Sequence, residues 1–544
     1  VKETTMTTAQ MTELAQLFRS ARNVSTPLMA IWTADPAATV AGLLPTVTDV
    51  KTGQPFAAMQ WDVVRGLRGL NQKGAATVQA IVGASGSKDD VEKQITEATR
   101  DCDEALRLVA RAERGTVVFL QNGVSYWDNP GVAQAIWNLR DVFKATARAL
   151  VVLGPDGSRV PRSLQHDVMV FNEPLPGRDE LAGITLSLHT AAGLAAPNEK
   201  SLARIVDATA GLSAFAAEQV IAMSLRKDGV DQLALRARRR QSIENTPGLS
   251  VHRGPERFDD LGGLHNLKKF CHRVKTHSRE PIKAVAFMDE IDKVMAGVGA
   301  QGGPGDSSGV SQYQLRACLT NIRQGMLFYG IQGTGKTDFA KIFANELDVD
   351  FLDVDLGGMQ AGIVGESQAN TIAAMKVVEA VGQGHTLWIA TANGLVTLPT
   401  ELRRRLRTFG EWFFDIPDEE ELKAIVTIYL RKWGLKVTAS NPLPDMTDWT
   451  GAEVRNCLYM AYDLELPFAE AAEYVVPLAV SSREIVARIR TAAAGRFRSA
   501  SRPGFYQAPQ AALDVVQQTR SFASLEDAAL GMTAIAATAG KKAN

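Results

Sequence analysis

Along residues 1–250, short unbroken apolar runs alternate with longer stretches whose apolar positions recur every three or four residues. The runs are Pro27-Leu28-Met29-Ala30-Ile31-Trp32, Thr116-Val117-Val118-Phe119-Leu120, Ala149-Leu150-Val151-Val152-Leu153 and Asp167-Val168-Met169-Val170-Phe171. Helical patterns fill 91–114 and 130–149 between them. A run that is apolar at every position suits a strand buried on both faces, so the alternation predicts a parallel sheet covered by helices. Downstream, three further runs end in polar or glycine-rich segments: 284–288, 326–329 and 387–392. From Asp418 the period becomes helical, over 419–433, 451–464 and 468–476, with 483–490 helical and 499–509 reading as loop.

These patterns predict five regions. Residues 1–235 form an N-terminal α/β domain, and 236–255 a linker in which Arg236-Ala237-Arg238-Arg239-Arg240 leads into the turn Asn245-Thr246-Pro247-Gly248. Residues 256–417 form a second α/β core, 418–480 a small helical lid, and 481–544 a helical and loop extension. No internal repeat is visible.

Composition narrows the function classes. At 544 residues the chain can hold several domains, and 45% hydrophobic with 22% charged residues is ordinary for a globular protein. A net charge of −1 exerts no global pull toward nucleic acid or anionic membrane. Cys102, Cys271, Cys318 and Cys457 lie far apart, which argues against a zinc site or disulfide framework and suits a reducing cytosol. No apolar stretch approaches the roughly 20 residues of a membrane span, and Val1 to Gln10 is polar with no signal-peptide core, so a cytoplasmic protein is expected.

The sharpest chemical signal is Gly330-Ile331-Gln332-Gly333-Thr334-Gly335-Lys336-Thr337, of the form GxxxxGK[ST]. It follows the run Met326-Leu327-Phe328-Tyr329 and precedes the helical pattern Phe339-Ala340-Lys341-Ile342-Phe343-Ala344. That strand–loop–helix context separates a phosphate-binding loop from a Gly-rich turn with a solvent lysine. Backbone N–H groups of Gln332, Gly333, Thr334 and Gly335 can surround phosphate oxygens at a helix N-terminus. Lys336 can reach the β- and γ-phosphates, and Thr337 can hold Mg²⁺ through its hydroxyl. The first 250 residues contain no such loop and are not expected to hydrolyse nucleotide.

Three other segments fit a nucleotide site. Ala284-Val285-Ala286-Phe287-Met288-Asp289-Glu290 is an apolar strand ending in two carboxylates. Asp289 suits the Mg²⁺ shell, and Glu290 suits polarisation of an attacking water. An acidic pair after a strand is common by itself; beside an intact phosphate loop, and continued as Ile291-Asp292-Lys293, it is informative. Leu387-Trp388-Ile389-Ala390-Thr391-Ala392 ends at Asn393, either a turn residue or a group that orients water. Leu402-Arg403-Arg404-Arg405-Leu406-Arg407 is either a solvated helix face or the source of an arginine supplied in trans to a neighbouring γ-phosphate.

Together these residues resemble the AAA ATPase family. Asp260-Leu261-Gly262-Gly263 matches the segment that contacts adenine, Gly365-Glu366-Ser367 the GES turn, and Asp289-Glu290-Ile291-Asp292 the Walker B motif. Ala390-Thr391-Ala392-Asn393 matches sensor 1, and Gly451-Ala452-Glu453 the lid motif GA[DE]. The N-terminal half looks like that of the uncharacterised AAA proteins of cyanobacteria and chloroplasts, through 61–67 and Glu173-Pro174-Leu175-Pro176. The resemblance implies a P-loop NTPase parallel sheet with a C-terminal helical lid, preceded by an α/β domain without a P-loop. It implies ATP and Mg²⁺ at the interfaces of a homo-oligomeric, hexameric ring that remodels a protein partner, with Gly451 and Ala452 near the nucleotide.

The chain departs from the family in three places. The loop expected to face the pore reads Ile363-Val364-Gly365, aliphatic where many unfoldases carry an aromatic residue. The arginine spacing leaves both Arg404 and Arg407 as fingers. Most importantly, Asp289–Asp292 precede the P-loop, whereas the family order is the reverse. Exchanging the blocks 280–324 and 325–381 restores the family order. The family sheet order is last strand, P-loop strand, sensor strand, Walker B strand, second strand. Two connections must then skip a strand, about 10 Å sideways at roughly 4.8 Å per strand. The expectation is that the site reassembles regardless of order.

An ATP-hydrolysing ring acting on a protein is therefore the leading reading, with a nucleotide-gated scaffold or binding module that threads nothing as its alternative. Nucleic-acid remodelling, suggested by Arg236–Arg240 and by Arg488, Arg490, Arg496 and Arg498 with Phe497, is disfavoured by neutral overall charge and the lack of a recognisable module.

Overall fold

A computed structural model describes residues 12–49, 52–292, 322–359, 364–393 and 400–517. Its contacts divide the chain into two compact units: one of residues 1–247 with 359–380, the other of 248–358 with 381–544.

The first unit holds a six-stranded sheet of β1 (Leu28–Trp32), β2 (Ala58–Asp62), β3 (Gly66–Gly69), β4 (Val117–Leu120), β5 (Ala149–Gly154) and β6 (Met169–Asn172). Its order is β3-β2-β4-β5-β1-β6, parallel except for the β2/β3 hairpin. Side chains alternate between two cores. Leu28, Ala30 and Trp32 join Val118, Leu120, Leu150 and Val152 on one face. Met29 and Ile31 join Val117, Phe119, Val151 and Leu153 on the other. Two covered faces explain the unbroken apolar runs of β1, β4 and β5, since every position of such a strand meets a core, whereas β6, at the sheet edge, leaves Met169 and Val170 exposed. The sequence pattern missed β2 and β3, where Gln60, Asp62, Arg68 and the glycines interrupt the apolar signal. The helical pattern at 91–114 is two helices, Lys88–Thr99 and Cys102–Val109. A two-residue hairpin pair, β7 (Leu225–Arg226) and β8 (Gly229–Val230), leads into the helix Gln232–Glu244. The segment 236–255 is thus largely ordered: that helix covers its start, and its end holds a strand of the second unit. Lys376 Nζ pairs with Asp156 and donates to the carbonyl of Glu173 within the first unit.

The second unit holds β9 (Leu249–His252), β10 (Ala284–Met288), β11 (Gln324–Gly330), β12 (Asp350–Val354), β13 (Thr386–Ala392), β14 (Glu411–Phe414) and β15 (Arg498–Ser499). Their order is β15-β14-β11-β13-β10-β12-β9, parallel except for β9. From β14 to β12 this is the order the family resemblance implies, with the acidic strand β10 seated between β12 and β13 although it comes first of these five in the chain. Phe287, Phe328, Phe339, Phe343, Phe351, Trp412 and Phe414 fill the core on one face. Arg498 and Ser499, expected as loop at 499, instead extend the sheet edge beside Trp412 and Phe413.

The lid is built from the helices Glu419–Trp433, Gly451–Asp463 and Phe468–Glu473 around Val426, Met446, Trp449, Val454, Cys457, Leu458 and Phe468. The first two begin with capping boxes, Asp418 with Glu421 and Thr450 with Glu453, which fix where each helix starts. Residues 365–367 lie in the first turn of the helix Val364–Gly382 rather than in a turn. Ile363, Lys293, Cys318 and the residues after 517 lie outside the described residues. No described helix is long and apolar enough to cross a membrane.

Candidate nucleotide site

β11 is buried from Gly325 to Gly330 and delivers the glycine-rich loop to the C-terminal edge of the sheet. Gly330 takes φ +154°, and a Cβ there would meet the Phe414 carbonyl oxygen at 2.1 Å, so only glycine lets β11 pass β14 this closely. Gly333 takes φ +79°; a Cβ there would press on Thr450 Oγ1 and the Ala452 methyl at 3.0 and 3.1 Å. The helix Lys336–Leu347 begins directly after, with Gly335 at its N-cap and no side chain capping it. Its first N–H groups are therefore left to face the cavity.

Lys336 is 6% exposed, and its ammonium donates to the carbonyl oxygens of Gly330 at 3.0 Å and Ile331 at 2.7 Å. Burial lowers its pKa to about 8, against the upward pull of Asp289, Asp292 and Glu290. The carboxylates come from a distant segment. Asp289 follows the fully buried β10, and Thr337 donates to its Oδ2 at 3.2 Å. Thr391, near the end of β13, donates to the other oxygen, Oδ1. Glu290 adopts a left-handed backbone, φ +44°, rare for a non-glycine residue. Its N–H donates to Thr391 Oγ1 at 2.8 Å, and Asn393 Nδ2 donates to its Oε1 at 2.8 Å. β10, β11 and β13 are needed to gather Asp289, Glu290, Thr337 and Asn393.

The far wall comes from the segment before the sheet and from the lid. Gly262 lies so close to the lid that a Cβ would meet Ile425 Cγ1 at 2.5 Å and its backbone N at 2.8 Å. Glu421, 4% exposed, accepts the Leu264 N–H at 2.7 Å, while Lys268 donates to the carbonyls of Phe258 and Leu261. Asp260 Oδ2 accepts the Arg257 N–H at 2.9 Å. Ala452 N–H donates to Gly333 O at 3.0 Å, tying the lid to the loop.

The result is a cavity of about 330 Å³ lined by Asp260, Gly262, Asp289, Glu290, Gln332, Gly333, Thr334, Gly335, Lys336, Thr337, Asn393, Gly451 and Ala452. Gly330 is not in the lining, but its carbonyl oxygen accepts from Lys336. Arg404 and Arg407 do not enter it: both are exposed, at the end of the helix Thr400–Leu406 and just beyond. Their neighbours are engaged within the chain, Arg403 with Glu411 at 2.6 Å and Arg405 with the Ile322 carbonyl. Leu261, within the segment read as contacting adenine, shares the apolar wall with Ile425, Ile428 and Tyr429, which sequence reading missed together with Arg455. Arg455 stands one helical turn past Gly451, a spacing that could have placed it on the same face.

These residues fit a nucleoside triphosphate with Mg²⁺. A carboxylate and a hydroxyl within hydrogen-bond distance are the hard oxygen donors that Mg²⁺ takes beside phosphate. The loop leaves space that a Cβ would fill, and the buried Asn393 Oδ1 has no partner among the described residues.

Comparison with known proteins finds two matching family models. Residues 11–173 match the family described as SpoVK-like AAA ATPase, N-terminal domain, and 326–397 match ATPase family associated with various cellular activities (AAA). The second match begins in β11 and takes in β12 and β13, while β10 lies upstream of it. The uncharacterized AAA domain-containing protein ycf46 of Guillardia theta is 25% identical over 466 residues, covering 74% of this chain and 85% of that protein. Its counterparts in Trieres chinensis and Gracilaria tenuistipitata var. liui are 24% and 25% identical, covering 86% and 83% of their lengths and 74% and 71% of this chain. By these matches and by the site it assembles, the chain resembles the AAA ATPases, with a SpoVK-like N-terminal domain ahead of a AAA domain as its recognisable parts.

Proposed function

We propose that this chain hydrolyses ATP to ADP and phosphate, and that it does so as a homo-oligomeric ring, hexameric by family resemblance, remodelling a protein partner. One observation carries the proposal: Asp289, Glu290, Thr337 and Asn393, from three strands threaded in an unusual order, meet beside the glycine-rich loop. Mg²⁺, when bound, would neutralise charge on the β- and γ-phosphates. Thr337 and Asp289 are the residues to hold it. Lys336, freed from the Gly330 and Ile331 carbonyls, would donate to phosphate oxygens instead. Glu290 would take the proton of the attacking water, with Asn393 fixing the carboxylate's direction. The exposed Arg404 and Arg407 are the candidates to act in trans, where such an arginine contributes about 10³–10⁵ in rate.

Replacing Glu290 by Gln tests the assignment. The variant should bind ATP with unchanged affinity and lose turnover by about 10²–10⁴. Unchanged turnover in a phosphate-release assay would show that Glu290 is not the base.

A further inference from the structure

At the opposite, N-terminal edge of the second sheet lies a larger cavity of about 710 Å³. The end of the helix His265–His277, the turn before β14 and the segment around β15 form its walls. Arg273, Arg407, Arg496 and Arg498 line it together with Phe270, Phe409 and Phe505. All four arginines are exposed, and none has a carboxylate partner among the described residues. The cavity's own carboxylate, Glu411, is already held by Arg403 through two contacts of 2.6 and 3.2 Å. In a chain with 59 basic and 60 acidic residues, four unpaired guanidiniums around one cavity are a local construction rather than a consequence of composition. Phe270 and Phe409 pack against the core, but one ring is presented. Phe505 is 60% exposed, with the Arg498 guanidinium 5.9 Å from its centroid.

We propose that this cavity binds single-stranded nucleic acid. Guanidinium groups match phosphate in charge and in fork geometry, and an exposed ring beside them offers a face for a base. An acidic peptide would satisfy the arginines but would leave the exposed Phe505 ring without a stacking partner. A duplex keeps its bases stacked on one another and cannot use Phe505. The site shares no lining residue with this chain's own nucleotide cavity, although one of its arginines, Arg407, is also a candidate to act in trans.

The test is fluorescence anisotropy on the full chain without nucleotide. The probes are labelled oligo-dT of about a dozen nucleotides, a duplex of the same length, and polyglutamate. Oligo-dT should bind more tightly than either competitor. The double variant R496A/R498A should weaken that binding at least tenfold and lower the slope of log affinity against log salt by about two. F505A should weaken oligo-dT roughly tenfold with that slope unchanged. ATP binding and basal turnover, unaltered in both variants, would show that they remain folded. The proposal is overturned if oligo-dT does not bind, if polyglutamate or duplex binds equally well, or if the variants bind oligo-dT like the parent. It is also overturned if R496A/R498A lowers ATP turnover without affecting oligo-dT, because the arginines would then serve a neighbouring copy's nucleotide.

Discussion

The two sheets are built alike and threaded differently. In the first, β6-β1-β5-β4-β2 run parallel; in the second, β14-β11-β13-β10-β12 do the same, with β15 beyond β14. Position for position, β1 answers to β11, β5 to β13, β4 to β10 and β2 to β12. The chain visits the first set as β1, β2, β4, β5, β6. It visits the second beginning from β10, the counterpart of β4. The same neighbours form because the central strands β1, β4, β5, β10 and β13 are fully buried and pair by their apolar faces, which do not depend on when the strand is made. Even a local detail repeats: the second residue after each counterpart strand, Asn122 after β4 and Glu290 after β10, takes a left-handed backbone, φ +49° and +44°.

Where the sheets differ is the loop that makes chemistry. After β1 the chain reads Thr33-Ala34-Asp35-Pro36, and Asp35 caps the next helix by accepting the Ala38 N–H at 3.1 Å. Its other oxygen accepts the Phe215 N–H at 3.1 Å, and Pro36 has no N–H to offer. That helix N-terminus is already filled by a carboxylate. After β11, Gly335 leaves the equivalent terminus open. A shared scaffold therefore yields a phosphate site only where glycine replaces the capping acid.

The comparison can be broken in four ways. Lys336→Ala should abolish ATP binding altogether; calorimetry showing residual binding would mean that the first sheet also holds nucleotide. A pH series tests the buried lysine. With its pKa near 8 when folded, against 10.5 ordinarily, Lys336 is charged below about pH 8 and neutral above it in the nucleotide-free protein. ATP affinity should be flat below that value and fall by up to about tenfold per pH unit above it, with proton uptake on binding. Between about 8 and 10.5 the unfolded chain holds a proton that the folded chain lacks, so this group makes the free protein more stable as pH rises. Asp35→Ala should cost about 1 kcal/mol of stability, read by denaturant midpoint, without creating a second nucleotide site. Exchanging residues 280–324 with 325–381 to equalise the two threadings should change ATP affinity least, by less than a few-fold. A large gain would mean that chain order, not strand position, limits the site.

Much of this was legible beforehand. GxxxxGK[ST] after an apolar run located the loop, because glycine and lysine at fixed offsets have a mechanical meaning independent of the rest of the chain. The acidic pair and Asn393 were recognisable as strand-end polar residues, and their convergence followed once the strand order was written down. Strands β2 and β3 were hidden by Gln60, Asp62 and Arg68. Ile425, Ile428, Tyr429 and Arg455 were hidden because they sit on lid helices whose period shows a buried face but not what faces the cavity. The arginine and phenylalanine cavity was equally hidden: Arg273, Arg407 and Arg496 are far apart in the chain, and the average charge is neutral.

By itself the sequence determined the central strands β1, β4, β5, β10, β11 and β13 and which residues can handle phosphate, because those properties follow from periodicity and local backbone freedom. Only the tertiary structure decided that Asp289, upstream in the chain, lies 3.2 Å from Thr337, downstream. Strand neighbours are chosen by packing across the sheet, and packing has no memory of chain order.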